Sequence, residues 1–464
     1  MIKLGFYGAA GEVTGSCYVL TTDRAQVMID MGMHQGERVA YEHNRRMPPV
    51  NFGKLNAVVL THAHLDHCGR LPMLVKAGFR GKIHCTRPTA GVTEIILRDS
   101  AKLQVEDVDR FNDRIRRRDE HRRQPLYDVQ ATERVLPRLT TWHYDKVIPI
   151  ADGITIKFVD AGHILGAASV QMIAEDGDRT VTIVFSGDVG VVGSPILRDP
   201  VTPTPADAVL LESTYGDRDH RSLDETRDEL LAILRAAEAT GAKVLIPAFA
   251  VGRTQDIVYH IGEFIRTGQL PPLNVYVDSP MASSVTALYK RFMEVYDERA
   301  KELLAQDMKP LDFPGLRYVQ SVEESKALNT AKGPMVIISA NGMCTGGRIL
   351  HHLNQHLSDP NAQVVIVGYQ GAGTLGRRLV EGAQYVSIFR HDVTVRAKIH
   401  TLGGFSAHAG QSGLIDWAAP FKESKPQMFL THGEDMPRTV LRDQLKAKLD
   451  LVAAMPKYGD EVEL

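Results

Sequence analysis

The sequence predicts an α/β fold in which one domain is inserted into another, and three observations lead to this prediction. Short strands that end in polar residues and glycine dominate the chain up to about Glu212. Strands and helices then alternate, which is typical of a parallel sheet covered by helices. From about Val393 the strands with histidine at their ends return, which indicates that the first domain resumes. The predicted boundaries are 1–212 and 393–464 for the host domain and 213–392 for the insertion.

The first part of the host domain is predicted to be a set of short apolar strands. Some end in a polar residue close to glycine, as in Asp30-Met31-Gly32 and Ser186-Gly187-Asp188, which predicts one shared rim of functional groups. The predicted strands are Ile2–Tyr7, Cys17–Thr21, Val27–Asp30, Ala57–Thr61, Ile154–Asp160, Ser169–Ile173, Thr182–Ser186 and Ala208–Glu212.

A charged helical segment is predicted at Leu97–Arg138, between two groups of these strands. Within it, the stretch Arg114–Arg123 carries six arginines. Two interpretations stay open: a solvated helix face balanced by neighbouring acidic residues, or a guide for a polyanionic backbone.

The inserted part follows a different pattern. Ser222 and Glu225 form a capping-box motif before apolar residues at helical spacing. Further helices are expected near Thr254–Ile265, from Ala282 onward and near Arg348–Leu357. The strands expected between the helices are Val244–Ile246, Val275–Val277, Met335–Ser339 and Val364–Val367.

Composition favours a reduced cytoplasmic protein without a membrane anchor. The 464 residues include 54 Lys and Arg against 56 Asp and Glu, a formal net charge of −2, so the whole chain has no general attraction for nucleic acid. The four cysteines form no C-x-x-C pair, and no run of 18 apolar residues occurs. We expect Cys68 to be a small buried residue rather than a ligand.

The segment from Thr61 to His67 predicts a metal site. It places three imidazoles and one carboxylate within six residues, His62 to His67, directly after an apolar strand. His163, Asp188 and His432 also lie beside glycine at predicted strand ends, so we expect them to join the same site. Eight other histidines lack this setting and are expected to be structural or exposed: His84, His143, His220, His260, His351, His352, His356 and His391.

These motifs together resemble the metallo-β-lactamase superfamily, and specifically the β-CASP ribonuclease branch that includes the pre-mRNA 3′-end endonuclease and its short bacterial homologues. The resemblance rests on His62-x-His64-x-Asp66-His67 with His163 and Asp188, and on the segments Leu211–Gly216, Ser339–Arg348, Gly403–Gly410 and Thr431–Gly433. It implies an αββα sandwich with an inserted α/β β-CASP domain that carries a mainly parallel sheet.

The resemblance also implies two Zn²⁺ ions per chain. One would be held by His62, His64 and His163, and the other by Asp66, His67 and His432, with Asp188 between them. Asp30 would orient the cluster without binding metal.

The catalytic residues that the resemblance implies are Asp66, Glu212 and His408. A hydroxide held between the metals would attack phosphorus. His408 would protonate the leaving oxygen, and Glu212 would polarise or position His408. In this family cleavage leaves a 5′-phosphate and a 3′-hydroxyl.

RNA is the substrate that the resemblance implies, since histidine at the position of His432 goes with RNA-acting members. Ser339, Arg348 and Ser406 are expected to contact phosphate. We expect single-stranded RNA, because by analogy with the fold a narrow cleft beside the inserted domain would exclude a duplex. Endonuclease action and 5′-3′ exonuclease action both stay open, as does a homodimer. The alternatives are a small-molecule metallo-hydrolase, a DNA nuclease and a scaffold subunit of an RNA-processing complex.

Overall fold

The computed structural model of the chain describes residues 1–36, 38–115, 122–371 and 373–464. Two compact units form: the first comprises 1–193, 198–219 and 408–464, and the second comprises 194–197 and 220–407. The first unit is therefore built from segments on both sides of the second unit in the chain.

Strands are numbered in chain order through the described residues. They are β1 (Lys3–Phe6), β2 (Tyr18–Thr21), β3 (Gln26–Ile29), β4 (Ala57–Val59), β5 (Lys82–Thr86), β6 (Leu139–Trp142), β7 (Ile148–Ala151), β8 (Ile154–Asp160), β9 (Ala168–Asp176), β10 (Arg179–Phe185), β11 (Ala208–Glu212), β12 (Lys243–Pro247), β13 (Asn274–Val277), β14 (Leu316–Tyr318), β15 (Met335–Ser339), β16 (Gln363–Ile366), β17 (Tyr385–Ile388), β18 (His391–Thr394), β19 (Lys398–Thr401), β20 (Gln427–Thr431), β21 (Ala453–Ala454) and β22 (Glu461–Glu463).

Helices are numbered in the same way. They are α1 (Arg38–His43), α2 (Leu65–Cys68), α3 (Leu71–Lys76), α4 (Arg87–Ile115), α5 (Val129–Val135), α6 (Leu223–Thr240), α7 (Arg253–Arg266), α8 (Pro280–Arg291), α9 (Glu298–Ala305), α10 (Val322–Thr330), α11 (Ile349–His356), α12 (Leu375–Val380), α13 (Gln411–Ala418) and α14 (Asp435–Leu449), with short 3₁₀ turns at Leu136–Arg138, Met293–Val295 and Ala419–Phe421.

The first unit contains two sheets, each with seven strands among the residues described. The first has the order β22-β1-β2-β3-β4-β5-β6, parallel from β3 to β6. The second has the order β21-β20-β11-β10-β9-β8-β7, parallel from β21 to β10. One buried apolar cluster, which includes Leu4 and Val27 of the first sheet and Phe158 and Met172 of the second, fills the space between them. Burial of such residues is the main stabilising contribution to a sandwich of this kind.

Helices cover the outer sides of this sandwich. Trp417 of α13 and Leu441 of α14 pack against Leu211 and Leu430 on the outer face of the second sheet. Helix α4 contacts β5 and β6 of the first sheet, and none of its described residues belongs to the cluster between the sheets. The layers are thus helix, sheet, sheet and helix, which confirms the predicted fold class.

The second unit has its own sheet, with the strand order β14-β13-β15-β12-β16-β19 and parallel pairing throughout. Helix α6 begins at Ser222, whose side chain accepts a hydrogen bond from the Glu225 amide. The sequence predicts that the host domain resumes at 393. The chain is still inside the second unit there, because β19 pairs with β16.

Five strands of the first unit, β5, β6, β7, β21 and β22, are not anticipated from the sequence, and the predicted helix at Leu97–Arg138 is wrong in extent. Helix α4 begins ten residues earlier, at Arg87, and a separate helix, α5, lies within the predicted span. The arginine-rich run Arg114–Arg123 falls largely outside the described residues, because 116–121 are not described. Among the described helices, none combines the length and apolar character needed to cross a bilayer.

Candidate metal centre

Two sets of parallel strands bring the predicted ligands to one edge of the sandwich. Asp30 and His62 follow β3 and β4, which are parallel neighbours in the first sheet. Asp188 follows β10, Glu212 ends β11 and His432 follows β20, and these three strands are parallel neighbours in the second sheet. Because neighbouring parallel strands end at the same edge of a sheet, side chains that are distant in sequence converge there.

The first group of ligand atoms comes from His62, His64 and His163. The Nδ1 atom of His64 lies 3.2 Å from Nε2 of His62 and 3.1 Å from Nε2 of His163. Metal–nitrogen bonds of about 2.0–2.1 Å in a tetrahedral site place two ligand atoms roughly 3.3 Å apart. The three nitrogens therefore have the spacing of ligands around one ion.

The second group comes from Asp66, His67 and His432. The Nε2 atoms of His67 and His432 lie 3.2 Å apart, and Oδ2 of Asp66 lies 3.4 Å from Nε2 of His432. Helix α2 carries Asp66 and His67, and the loop before it carries His62 and His64. The segment after β4 therefore supplies ligands to both groups.

Asp188 directs one carboxylate oxygen toward each group. Oδ2 lies 3.3 Å from Nε2 of His62 and 3.4 Å from Nε2 of His163, while Oδ1 lies 3.2 Å from Nε2 of His67. The residue is 2% exposed, and no described residue forms a hydrogen bond with its Oδ1 atom. A buried carboxylate oxygen without a partner is costly unless a cation binds it. The donor set therefore fits two divalent ions with Asp188 between them.

The ionisation of His62, His64 and Asp188 matches the forms that bind metal. Burial, aided by the charge of a neighbouring histidine, lowers the pKa of His62 to about 3, and burial lowers the pKa of His64 to about 4. Burial acts to raise the pKa of Asp188, but the surrounding histidines outweigh it and hold that pKa well below its usual range. Neutral imidazole and ionised carboxylate are the forms that donate an electron pair to an ion.

Asp30 supports this cluster by hydrogen bonding. Its Oδ2 atom accepts from Nδ1 of His67 at 2.7 Å and from the Thr61 hydroxyl at 2.8 Å, and its Oδ1 atom accepts from the Thr61 amide at 2.8 Å. These bonds leave Nε2 of His67 facing the ligand group. The orienting role of Asp30 stays a prediction.

Thr214 supports His432 in a similar way. This role of Thr214 is not predicted from the sequence. Its hydroxyl oxygen lies 3.0 Å from Nδ1 of His432 and 3.1 Å from the His432 carbonyl oxygen. The hydroxyl can accept from Nδ1–H and donate to the carbonyl, which leaves Nε2 facing Asp66. The only sequence signal was its place inside the segment Leu211–Gly216.

A Thr214→Val substitution is expected to weaken metal binding at the group of Asp66, His67 and His432 by about 10- to 100-fold, because the imidazole loses the partner that fixes its ring. Titration of metal-free protein with Zn²⁺ measures this change. Thr439→Val, which removes a hydroxyl bonded to the Asp435 carbonyl in α14, is the matched control. Wild-type affinity in Thr214→Val would mean that His432 needs no such support.

His408 and Glu212 form a pair at the edge of the cluster. Nδ1 of His408 lies 3.1 Å and 3.2 Å from the two Glu212 carboxylate oxygens, and its Nε2 lies 3.9 Å from Oδ2 of Asp188. Glu212 is 1% exposed and also accepts from the Val189 amide at 2.7 Å. Burial acts to lower the pKa of His408, but the charges of Glu212 and Asp188 outweigh it and raise that pKa to about 9. The pair therefore presents a protonated Nε2 beside the ligand groups.

Glycine allows the loops that carry His163 and Asp188 to approach each other. A Cβ atom on Gly190 would lie 2.0 Å from the Gly162 carbonyl oxygen, which no other residue could tolerate without moving the backbone. The Gly190 amide donates to the Ala161 carbonyl at 2.7 Å. This close contact sets the separation of the two ligand-bearing loops.

The predicted phosphate contacts Ser339, Arg348 and Ser406 belong to the second unit. The Ser339 hydroxyl donates to the Asp278 carbonyl at 2.9 Å, and the Arg348 guanidinium pairs with the Asp278 carboxylate at 2.6 Å. Ser406 is half-buried, two residues before His408 in the chain. Their roles toward substrate stay predictions, since Ser339 and Arg348 already have partners within the protein.

An Arg348→Ala substitution is expected to lower the free energy of unfolding by about 1–3 kcal/mol, because the buried Asp278 carboxylate loses a charged partner. Asp278 keeps Ser325 and His352 as hydrogen-bond partners, so folding should survive. Chemical denaturation measures the change, with Arg396→Ala at an exposed site as the control. Unchanged stability combined with weaker RNA binding would instead support a substrate contact.

Comparison with known proteins identifies the fold family. A model of the Metallo-beta-lactamase superfamily matches residues 10–248, more than half of the chain. A Beta-Casp domain model matches residues 254–379, and a model of the Zn-dependent metallo-hydrolase RNA specificity domain matches residues 392–456. The chain belongs to the metallo-β-lactamase superfamily, in its β-CASP branch. This β-CASP protein is accordingly a metal-dependent hydrolase.

Relatives and a solved structure match the β-CASP protein over nearly all of its length. It is 41% identical over 458 residues to a ribonuclease of Thermus thermophilus, which covers 98% of each chain. It is 30% identical to an RNase J-like protein of Methanocaldococcus jannaschii, which covers 94% of this chain and 93% of the relative. A crystal structure of a protein of unknown function from Enterococcus faecalis covers 100% of both chains with a TM-score of 0.55 at 13% identity, a likeness of fold alone.

Proposed function

We propose that the protein is a ribonuclease that binds two zinc ions and hydrolyses phosphodiester bonds in single-stranded RNA. The observation that carries this proposal is the His408–Glu212 pair. Its imidazole lies beside Asp188, the residue that faces both ligand groups. The ligand groups alone would suit any hydrolase of the superfamily. A protonated imidazole held next to them adds the group that a phosphodiester leaving oxygen needs.

The donor set supports zinc. Five imidazoles and two carboxylates surround the two ligand positions: His62, His64, His67, His163, His432, Asp66 and Asp188. Imidazole and carboxylate together suit Zn²⁺, whereas Mg²⁺ and Ca²⁺ prefer sites made of oxygen. When bound, the two ions supply an activated water as nucleophile and positive charge that neutralises the phosphate oxygens.

The residues of the chain have separate tasks in the proposed reaction. Asp188 holds the two ligand positions at a fixed separation, and Asp30 and Thr214 keep His67 and His432 in the binding orientation. His408 donates the proton on Nε2 to the leaving 3′ oxygen, and Glu212 holds the imidazole through Nδ1. Products with a 5′-phosphate and a 3′-hydroxyl follow from this direction of cleavage.

RNA is proposed over DNA on the basis of relatives. The Thermus thermophilus relative is named a ribonuclease and covers 98% of the chain, and the model matched at 392–456 is described as an RNA specificity domain. The charge of two divalent ions exceeds the negative charge of Asp66 and Asp188, so the loaded cluster would be positive. A positive cluster favours binding of an anionic phosphodiester, although the chain as a whole is slightly acidic. The four cysteines are buried and unpaired, which supports a reducing, cytoplasmic location.

The test compares RNA and DNA under matched conditions. Zinc-loaded protein is incubated with single-stranded RNA and DNA of the same sequence, each labelled at either end, and the product ends are identified. We expect RNA products with a 5′-phosphate, and DNA left intact at the same protein concentration. His143→Ala, at an exposed histidine of the first unit, should cleave like the wild type.

Two outcomes would overturn the proposal. Zinc-loaded protein that cleaves neither polymer would favour a small-molecule hydrolase or a scaffold subunit. Equal cleavage of both polymers would make the protein a general nuclease, and His432 would then carry no preference for RNA.

A further inference from the structure

A second group of possible ligands lies in the first unit and shares no residue with the metal centre described above. It consists of Glu12, in the loop after β1; His34, five residues after β3; and His43, the last residue of α1. One ligand atom from each lies within 4.8 Å of the other two. The imidazole rings of His34 and His43 are 5.4 Å apart between centroids and nearly perpendicular, at 78°.

His34 is held rigidly in this group. It is 5% exposed, and its backbone amide and carbonyl form a pair of 2.7 Å hydrogen bonds with the side-chain amide of Asn44. Gly15, with φ of +81°, leaves the room for its ring, because a Cβ there would lie 2.5 Å from Nδ1 of His34. The position of the imidazole is therefore fixed before any ligand binds.

The Nδ1 atom of His34 is buried and has no hydrogen-bond partner among the described residues. Oε1 of Glu12 lies 3.2 Å away, but the two atoms do not have the alignment of a hydrogen bond. Oδ1 of Asp188 shows the same combination, since it lies 3.2 Å from Nε2 of His67 without a hydrogen bond. The separation of 3.2 Å between Nδ1 of His34 and Oε1 of Glu12 is the spacing of two ligand atoms on one tetrahedral ion.

We propose that Glu12, His34 and His43 form a third metal site, which binds one divalent transition-metal ion with Zn²⁺ as the foremost choice. Two imidazoles and a carboxylate are an established zinc donor set, and water would complete a tetrahedral site. Glu12 and His43 reach the surface, with Glu12 38% exposed, so an ion can enter from solvent. A bound ion would satisfy the buried Nδ1 atom, which neither accepts nor donates a hydrogen bond within the described part of the chain.

Such an ion would join three segments of the chain. It would tie the loop after β1 to the segment after β3 and to α1. The carbonyl of Glu12 accepts a hydrogen bond from the amide of Gly433 at 3.1 Å, directly after the ligand His432. The third site would therefore steady the backbone next to the metal centre without taking part in its chemistry.

The first experiment counts bound metal. Metal-free full-length protein is titrated with Zn²⁺ alone, and the equivalents bound are read by calorimetry and native mass spectrometry. Wild-type protein should bind one equivalent more than His43→Ala and than His34→Phe, which keeps a ring of similar size in the buried position. His143→Ala is the matched exposed histidine and should bind as many ions as the wild type. Equal counts in wild type, His43→Ala and His34→Phe would overturn the proposal.

The second experiment locates the ion. Crystals grown with zinc should give an anomalous peak at the zinc edge between Glu12, His34 and His43, in addition to peaks at the metal centre. Peaks at the metal centre with none at the three residues would contradict a third site. Both readouts are independent of RNA cleavage, so a failed ribonuclease assay would leave this result intact.

Discussion

An Asp188→Asn variant is expected to lose at least one of the two ions of the metal centre and to cleave RNA about 10³-fold more slowly or worse. Each oxygen of Asp188 faces one group of ligands, and the side chain is buried at 2% exposure. Asparagine keeps the shape but removes the negative charge and replaces one oxygen with an NH₂ group, which cannot bind a cation. The larger part of the loss should therefore come from metal binding.

The measurement combines metal content, by mass spectrometry, with kcat/KM on a labelled single-stranded RNA. Asp416→Asn, at an exposed aspartate of α13, is the matched control. It should have the metal content and the kcat/KM of the wild type. Circular dichroism checks that the variant is folded. Full occupancy of both positions together with normal cleavage in Asp188→Asn would show that the carboxylate does not bridge.

A His408→Ala variant is expected to lower kcat by about 10²- to 10⁴-fold while the metal content stays at the wild-type value. His408 lies outside both ligand groups, with its Nε2 3.9 Å from Asp188 and its Nδ1 held by Glu212. Removing it should remove the proton for the leaving oxygen and leave the ligands in place. Glu212→Gln should reduce kcat less, because the imidazole remains but loses the carboxylate that raises its pKa.

A modified substrate separates proton donation from positioning. RNA in which sulfur replaces the leaving 3′ oxygen has a leaving group that needs no proton. The defect of His408→Ala should therefore shrink markedly on this substrate, while that of Asp188→Asn should persist. An equal His408→Ala defect on both substrates would assign the histidine to substrate positioning. His391→Ala, at an exposed histidine of the second unit, controls for loss of an imidazole as such.

The convergence of the metal ligands could be predicted from the sequence because each ligand follows a recognisable strand. Apolar runs that end in a polar residue close to a glycine, as at Asp30 and Asp188, mark the ends of strands. Neighbouring parallel strands end at the same edge of a sheet. Among the strands that were missed, β5 and β7 have weaker patterns. β5 contains Lys82 and His84 in five residues, and β7 contains Pro149, which is unusual in a strand interior.

Contacts between side chains far apart in the chain could not be predicted in this way. Thr214 supports His432 across a separation of 218 residues, and Arg348 meets Asp278 across 70. No periodic pattern links such pairs, because their meeting depends on the final packing of strands and loops. For the same reason the spacing of Glu12, His34 and His43 became visible only in the folded chain.

The order of the ligands along the chain also sets the time at which the metal centre can first form during synthesis. His432 reaches its partner His67 across 365 residues, and β22 pairs with β1. At a ribosomal rate of about 5–20 residues per second, roughly 20–70 seconds pass between the two histidines. The nascent protein therefore has no complete metal centre until His432 has been synthesised, although it emerges beside RNA. Activity would begin only after β20 has placed His432 beside His67, so the order of the strands itself delays the nuclease.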